Sequence, residues 1–378
     1  MGAYQIKYAS NLDRDSWDEF VRKHPQATLF HRYGWREVFF RAYGHATYYI
    51  MAYEGEYDSG RENSVRPEKS TVNILGVLPL VHLKHIIFGN HLVSLPFLDG
   101  GGVLASCRAA EEGLMFEAIR LGLEVGACNI ELRDEQPIAC WNNVDALCLE
   151  SAGKPLNTVT RSDKVRMLLT LPASSEMLMQ SFTSKLRNQI KKPLREGLTS
   201  RVGGVELLED FYRVFLVNMR DLGSPVHALE LMRQTLRVFS EESRILVVYV
   251  HKKPVASSLV VGFNKVLRNP WASSLKKYAP LSPNMLLYFR MLEYACDHRY
   301  RIFDFGRSSP GEGTYRFKEQ WGAVPAPLYW HCISVGGKPL NLDSSDKVRF
   351  EKAIRYWKML PLPVTRIIGP SIRKHIGL

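Results

Sequence analysis

The residues best suited to chemistry lie in one stretch, residues 303–323. Aromatic residues and hydrophobic alternation up to Phe305 predict a strand, and Gly306 then begins a loop rich in Ser, Pro and Gly. A dense group of charged and aromatic residues follows: Tyr315, Arg316, Phe317, Lys318, Glu319, Gln320 and Trp321. A strand that ends in a loop with cations just beyond it is typical of a site at the mouth of an α/β sheet. The other interpretation is a surface loop followed by a solvated helix start.

Four residues of this stretch are site candidates because of their place at the predicted strand end. Asp304 and Tyr315 are assigned to catalysis, and Arg307 and Arg316 to substrate binding. Asp304 has two interpretations: it is a proton acceptor, or it is a structural carboxylate that accepts hydrogen bonds from loop amides. No serine or cysteine nucleophile is predicted, because the loop serines have no histidine near them in the sequence.

A second basic group lies in residues 184–192, where the spacing predicts a helix. Arg187 and Lys191 are four residues apart and share one face, where like charges repel unless an anion binds between them. Pro193 removes a backbone donor and is expected to kink or end the helix, so that Arg195 turns toward the same anion. The alternative is a basic face exposed to solvent.

The first half contains a glycine-rich turn between a predicted strand, residues 90–97, and a predicted helix, residues 109–125. The turn reads Asp99 followed by three glycines, and a further strand is expected over residues 129–133. This order of strand, helix and strand predicts a right-handed crossover unit. The amides of the turn are suited to hold a phosphate at the helix N-terminus, and a plain tight turn is the other interpretation.

Length and charge divide the chain into two unlike halves. With 378 residues, it is long enough for two domains of ordinary size. Residues 1–155 hold 15 Lys/Arg and 20 Asp/Glu, a net charge of −5, whereas residues 156–378 hold 35 and 18, a net charge of +17, which together give the +12 of the whole chain. The basic half indicates a polyanionic partner, such as tRNA, a sugar-nucleotide diphosphate, a polyprenyl diphosphate or an anionic membrane. Neutralisation of the acidic half across an interface is the alternative.

Four stretches of this sequence, in this order, resemble the FemAB family. They read T-L-F-H-R-Y-G-W-R-E-V, L-V-S-L-P-F-L-D-G-G-G-V-L-A, S-K-L-R-N-Q-I-K-K-P-L-R-E-G-L and F-D-F-G-R-S…G-T-Y-R-F-K-E-Q-W-G-A. The resemblance covers about residues 29–328 and is closer to the exosortase/PEP-CTERM-associated branch, which is found near bacterial exopolysaccharide genes. It implies an α/β (α+β) fold of two tandem GNAT-like domains, each a mixed sheet flanked by helices. We place these domains at residues 1–155 and 156–346, followed by a basic tail, residues 347–378.

The FemAB resemblance also implies an activity. Members of this family transfer an aminoacyl group from charged tRNA to an amine on a lipid- or nucleotide-linked cell-wall precursor. No bound cofactor is expected, and the acyl donor, aminoacyl-tRNA or acyl-CoA, is a co-substrate. Lys318 stands at the position of the family's functionally important lysine, and its ammonium is expected to stabilise the oxyanion or the departing oxygen. Arg187 matches the family arginine that grips the phosphates of the acceptor.

The substrate-binding candidates, taken together, come from all four stretches. They are Arg187, Lys191, Arg195, Arg307, Arg316, Trp35 and Asp99. The expected partners are an activated acyl donor and an anionic sugar-nucleotide or lipid-linked acceptor, and no metal site is predicted.

One segment departs from the acetyl-CoA enzymes of the GNAT fold. Residues 275–284 stand where those enzymes carry a glycine-rich pyrophosphate loop, but they contain no glycine. Pro280 and Pro283 remove two backbone donors that such a loop would use. This favours a donor other than acetyl-CoA. The alternatives to a FemAB-like transferase are an acyl-CoA-dependent N-acetyltransferase and a non-catalytic scaffold of exopolysaccharide assembly.

The tail and the N-terminus bear on location. Residues 347–378 hold eight basic residues and one acidic residue among Trp and Ile, a pattern that suits an anionic membrane surface. Docking of the tail on the second domain is the other interpretation. The first residues lack the apolar segment of a signal peptide, no apolar run is long enough to span a bilayer, and the six cysteines show no C-x-x-C spacing. We therefore expect a cytoplasmic protein, with or without contact at the inner face of the membrane.

Overall fold

The computed structural model describes residues 4–55, 72–153, 155–335 and 345–377. Within these residues, two sheets form that each combine parallel and antiparallel strands, and helices pack against both. The mixed α/β architecture predicted from the sequence is therefore confirmed.

The first sheet is built from eight strands of the described residues. They are β1 (Gln5–Tyr8), β2 (Ala46–Glu54), β3 (Asn73–His85), β4 (Gly89–Val93), β5 (Leu104–Ala105), β6 (Asn129–Asp134), β7 (Asn157–Arg161) and β15 (Tyr329–Ser334). Their order is β1-β2-β3-β4-β6-β15-β7, with β5 paired to β3. Strands β4 and β6 run parallel, and the other neighbours are antiparallel.

The second sheet is built from seven strands of the described residues. They are β8 (Val165–Thr170), β9 (Thr199–Gly203), β10 (Ser243–Val250), β11 (Lys253–Phe263), β12 (Val266–Ser274), β13 (Ile302–Ser308) and β14 (Val324–Pro327). Their order is β14-β8-β13-β12-β11-β10-β9, and β12 and β13 are the parallel pair.

The helices connect and cover these sheets. They are α1 (Arg14–Lys23), α2 (Trp35–Tyr43), α3 (Arg108–Glu124), α4 (Val144–Ala152), α5 (Ser175–Ser181), α6 (Ser184–Arg195), α7 (Leu208–Leu222), α8 (Leu229–Val238), α9 (Pro283–Asp297), α10 (Gly313–Glu319), α11 (Ser345–Met359) and α12 (Leu362–Arg373). The helix predicted over residues 109–125 is confirmed as α3, and its start differs by one residue.

Helix α2 shows how the local sequence sets these bounds. Trp35, Val38 and Phe39 recur at helical spacing and are all fully buried, so that the helix has one apolar face. The helix ends at Gly44, whose φ of +70° is a conformation that glycine adopts without steric cost. The apolar face packs on α8, where the ring centroids of Trp35 and Phe239 are 4.9 Å apart.

In the second sheet, the two parallel strands separate part of the way along their length. Strands β12 and β13 stop pairing after Arg268 and Asp304, although both strands continue beyond. Helix α9 connects them, as a parallel pair requires a crossover connection. In the first sheet, the registered pairing of β4 and β6 ends at Val93 and Glu131, and α3 is the connection. In the first sheet the pairing thus ends where β4 itself ends, whereas in the second sheet both strands continue.

A strand late in the second half of the chain completes the first sheet. Strand β15 comes from the second half but lies in the first sheet, between β6 and β7. Strand β8 belongs to the second sheet. The domain division at residues 155 and 346 stays a prediction, but residues 157–161 and 329–334 both lie in the first sheet. Strand β15 thus joins the two halves of the chain through backbone hydrogen bonds to β6.

The basic tail docks on the second half. Helices α11 and α12 both contact α7, and Trp357 and Thr365 are buried. At the far end of the tail, the Gly377 carbonyl accepts hydrogen bonds from the Phe97 amide at 3.1 Å and from Arg133 Nη2 at 2.7 Å. Of the two arrangements predicted for the tail, the described residues show the docked one. No helix in the described ranges is both long and apolar enough to cross a membrane.

Candidate active site

A cavity of about 340 Å³ lies where β12 and β13 separate. Its walls come from both halves of the chain and from α7, α10 and α12. Charged side chains line it together with apolar ones, and the charged residues are Asp99, Arg133, Arg166, Arg268, Asp304, Arg307, Lys318 and Arg373. Four carboxylates pair with these six cations: Asp99 and Asp304 in the lining, and Glu131 and Glu135 outside it. The remaining excess of two cations favours a ligand with negative charge.

Lys318, the predicted catalytic lysine, lies in this cavity on α10. Its side chain is buried, and Nζ donates to the carbonyls of Gly306 at 2.9 Å and of Arg307 at 2.8 Å. Burial lowers the pKa of Lys318 to about 8, against the opposing effect of the Asp304 and Asp99 carboxylates. The amine is therefore mostly protonated at pH 7. Two of its three hydrogens go to the two carbonyls, and the third remains for an oxygen atom in the cavity.

A local irregularity of β13 directs these two carbonyls toward Lys318. Gly306 has a φ of +77°, and a Cβ at this position would lie 3.1 Å from the carbonyl oxygen of Asn269. The register of β13 against β8 shifts between Asp304 and Arg307. Glycine at 306 is thus needed both for its backbone conformation and for the close approach of β12.

Asp304 is held in a buried cluster of four charges. Its Oδ2 accepts from Arg268 Nη1 at 2.7 Å and lies 3.5 Å from Arg166 Nη1, while its Oδ1 accepts from the Gly306 amide at 2.8 Å. Glu135, which follows β6, lies 2.6 Å from the same Arg166 nitrogen and 2.8 Å from Arg268 Nη1. Both Asp304 oxygens are therefore engaged. This geometry supports the interpretation of Asp304 as a structural carboxylate that binds a loop amide.

Two predicted substrate-binding residues, Arg307 and Asp99, meet in the cavity. Arg307 Nε lies 3.5 Å from Asp99 Oδ1, a long ion pair. The Arg307 guanidinium also stacks over Trp330 of β15, 4.7 Å from the ring centroid. Strand β15 of the first sheet thus positions the Arg307 guanidinium in the site.

The glycine-rich turn after Asp99 is not built as a phosphate cradle. The carboxyl group of Asp134 packs directly against Gly102, and its Oδ1 accepts from the Val103 amide at 2.9 Å. Helix α3 begins only at Arg108, several residues after the turn. The space that a phosphate would need is occupied by Asp134, which supports the other interpretation, a tight turn.

Six predicted site residues do not line the cavity. They are Trp35, Tyr315, Arg316, Arg187, Lys191 and Arg195. Trp35 is fully buried in the core, and its Nε1 donates to the Leu29 carbonyl at 2.9 Å, so its position does not support a contact with substrate. On α10, Thr314 and Lys318 are four residues apart and share the face toward the cavity. Residues 315 and 316 therefore face elsewhere.

The basic residues of α6 form a separate surface. Arg187 Nη1 donates to the backbone carbonyls of Phe182 at 2.6 Å and of Gln180 at 3.2 Å, which fixes the turn before the helix. Lys191 and Arg195 are exposed. Pro193 does not end the helix, which continues to Arg195. The role of this face in binding acceptor phosphates stays a prediction.

Sequence reasoning missed several residues that carry the charge of the site. Arg166 is a single charged residue among the apolar residues of 165–169, and this was the available signal. Arg268 is followed by Asn269 and Pro270, so it gave no such signal. Neither Glu135 nor Arg373 gave a comparable signal in the sequence. Glu135 directly follows strand β6, and Arg373 is the last residue of the basic helix α12.

Comparison with known proteins identifies part of the chain. Residues 180–319 match the family model described as an acetyltransferase (GNAT) domain. This segment runs from the end of α5 through α10 and includes Lys318. A search of curated proteins found no significant match.

Solved structures resemble the chain over most of its length. FemX has 14% identity and a TM-score of 0.60, with 86% of this chain and 96% of that chain covered. A tandem GNAT protein from the clavulanic acid biosynthesis pathway has 10% identity and a TM-score of 0.52, with coverage of 89% and 99%. A protein of unknown function from Bacteroides thetaiotaomicron has 9% identity and a TM-score of 0.51, with coverage of 88% and 100%.

Because the sequence identities are only 9–14%, the similarity to these three structures is evidence for the fold alone. The fold is that of two tandem GNAT-like units, as predicted from the sequence. The GNAT part of the FemAB resemblance is confirmed, and the assignment to the exosortase/PEP-CTERM-associated branch stays a prediction.

Proposed function

We propose that the protein is a GNAT-fold acyltransferase that forms an amide on an anionic, amine-bearing precursor of the cell envelope or of an exopolysaccharide. The proposal rests on the position of Lys318, which lies in the matched domain where β12 and β13 separate. Its ammonium donates two hydrogens to backbone carbonyls, and one hydrogen is left for an atom in the cavity. The excess of cations around it supports an anionic acceptor. The FemAB resemblance supports an aminoacyl group as the one transferred.

The reaction would proceed by direct transfer. The acceptor nitrogen attacks the carbonyl carbon of an activated ester or thioester, a C–N bond forms, and the carbonyl oxygen becomes an oxyanion. The Lys318 ammonium donates its remaining hydrogen to this oxygen. When the intermediate collapses, the C–O or C–S bond breaks, and the proton lost by the amine ends on the departing oxygen or sulfur. Binding of both substrates in one cavity supplies the proximity.

The segment between β12 and α9 supports a donor other than acyl-CoA. Within residues 275–284, the amides of Leu275, Tyr278 and Ser282 donate to backbone carbonyls, each at 2.9 Å. Pro280 and Pro283 have no amide hydrogen. Five positions of this segment therefore offer no backbone donor to a pyrophosphate, which favours an aminoacyl ester such as charged tRNA.

Titration of the purified protein with charged tRNA, acetyl-CoA and longer acyl-CoA tests the proposed donor. We expect micromolar binding of charged tRNA that weakens steeply between two salt concentrations, because phosphate contacts release counterions. Acyl-CoA is expected to produce no binding heat. Tight acyl-CoA binding would instead identify an N-acetyltransferase of the usual GNAT type, and silence of all donors would favour the scaffold.

The outer face of the docked tail supports a further part of the proposal, contact with an anionic membrane from the cytoplasmic side. Tyr356, Met359 and Ile367 have 69%, 75% and 74% of their surface exposed, and the exposed cations Arg355 and Lys358 lie beside the first two on α11. Apolar and basic side chains on one exposed helix face suit the headgroup region of a bilayer.

Vesicle sedimentation checks this contact. We expect the protein to bind vesicles that contain phosphatidylglycerol more than vesicles of phosphatidylcholine alone, with weaker binding at high salt. Tyr356→Ser combined with Met359→Ser is expected to reduce the bound fraction several-fold, because buried apolar area drives the insertion. Met177→Ser, a change of an exposed methionine on α5, is the matched control. Equal binding of all variants to both vesicle types would contradict the membrane contact.

A further inference from the structure

Arg373 reaches the cavity from the docked tail, far from the other site residues in sequence. Its Nε lies 3.2 Å from His227 Nε2, and its guanidinium carbon is 5.9 Å from the ring centroid of Phe97. Burial, with repulsion from Arg133 and Arg307, lowers the pKa of Arg373 to about 10, so the side chain is still charged at neutral pH.

The histidine beside Arg373 is neutral and cannot compensate this charge. Arginine has no acceptor atom, so its Nε–H donates and His227 Nε2 accepts. The hydrogen of His227 is then on Nδ1, which lies 3.2 Å from the hydroxyl oxygen of Tyr43. Burial and the charge of Arg373 hold the pKa of His227 well below its usual range. No carboxylate of the described residues forms an ion pair with Arg373.

The anchor of this arginine lies in the first sheet. Gly377, four residues on, is bonded through its carbonyl to Phe97 and Arg133 and packs beside Val93 at the end of β4. This is where the parallel pairing of β4 and β6 ends. The tail is thus anchored beside this strand pair, and this docking holds Arg373 at the cavity wall.

We propose that Arg373, with Arg307 beside it, binds an oxyanion group of the acceptor, a phosphate or a carboxylate. The inference rests on the proposed function, because it takes the bound molecule to be the acceptor of the acyl group. An uncompensated guanidinium in a partly buried, partly apolar cavity gains most from a charge-assisted hydrogen bond to an anion. Arg307 can turn toward the same anion, because its ion pair with Asp99 is long. Lys318 lines the same cavity as Arg307 and Arg373. The acceptor amine must reach the acyl carbon within this cavity.

Calorimetry with simple anions tests the site without any acyl donor. Inorganic pyrophosphate, inorganic phosphate and acetate are titrated into the full chain at low salt. We expect at least one of them to bind, and Arg373→Gln to weaken that binding about tenfold or more. Preference for pyrophosphate or phosphate assigns a phosphate group, and preference for acetate assigns a carboxylate. Arg366→Gln, a change of an exposed arginine on the same helix, is the control and is expected to bind as the parent does.

A second measurement on the parent protein excludes a folding defect of the variant as the cause. Modification of arginines by phenylglyoxal is followed by mass spectrometry with and without the bound anion. The anion is expected to slow modification of Arg373 but not of Arg366. Absence of binding by the parent, or unchanged modification of Arg373 in its presence, would overturn the inference. Acyl transfer by Arg373→Gln with an unchanged KM for the acceptor would also overturn it and would leave the proposed function standing.

Discussion

Lys318→Ala is expected to lower kcat for acyl transfer by about 10²–10³-fold, the usual effect of removing one donor to a developing oxyanion. The KM for either substrate should change little, because the hydrogen bond forms in the transition state. Single-turnover rates with the donor identified by titration provide the measurement. Glu319→Gln, a change of the exposed neighbour on α10, is the matched control and should retain the parental rate.

The pH profile separates loss of chemistry from loss of structure. Because the pKa of Lys318 is lowered to about 8, the ammonium form is present below this pH and is lost as the pH rises through it. We expect the transfer rate at saturating substrates to fall above pH 8 rather than near the pKa of an ordinary lysine, about 10.4. Lys318→Arg, if it retains measurable rate, should lack this decline. A fully active Lys318→Ala would refute the assignment of Lys318.

Glu135→Ala is expected to lower the free energy of unfolding by about 3–5 kcal/mol, because it leaves buried guanidinium groups without one of their two carboxylate partners. Arg166 and Arg268 are 8% and 9% exposed at their side chains, so water cannot replace the lost charge well. Urea denaturation followed by circular dichroism measures the change. The exposed pair of Arg120 and Glu124 supplies the control, and Glu124→Ala should cost about 0.5 kcal/mol or less.

A combined substitution distinguishes a broken charge cluster from a packing defect. Glu135→Leu with Arg166→Met removes a carboxylate and a guanidinium together and is expected to be markedly more stable than Glu135→Ala. A loss below about 1 kcal/mol for Glu135→Ala would show that the cluster contributes little to stability.

The same cluster connects stability to the site. Glu135 comes from the first half of the chain, whereas Arg268 and Asp304 lie on the two strands that separate at the cavity. Asp304 in turn holds the Gly306 amide, and the Gly306 carbonyl holds Lys318. The charge cluster thus positions Lys318 through β13, and the two halves of the chain must be docked for the site to be complete.

Several features of the protein follow from short stretches of sequence. The strand, glycine loop and helix around Gly306 and Lys318 were predictable because strand alternation and turn residues act between near neighbours. Helix α3 and the parallel pair of β4 and β6 followed from the predicted order of strand, helix and strand over residues 90–133.

Several predicted site residues lie away from the cavity because of contacts that the local sequence pattern does not record. Trp35 is a core residue because α8 packs on it, and Arg187 binds its own preceding turn rather than the cavity. The glycine turn after Asp99 is filled by a carboxyl group from β6. For Trp35 and the glycine turn, the neighbour that determines the position lies far away in the chain, whereas for Arg187 it is the turn just before the helix.

The sequence by itself determined the α/β class, the two-unit organisation and the position of Lys318 at a strand mouth, because these depend on local periodicity and turn chemistry. Only the tertiary structure decided that β15 pairs with the first sheet, that Glu135 joins Arg166 and Arg268, and that the tail brings Arg373 to the cavity. These contacts join residues far apart along the chain, where no spacing pattern records them. Their geometry is set by the packing of two sheets, which local sequence does not specify.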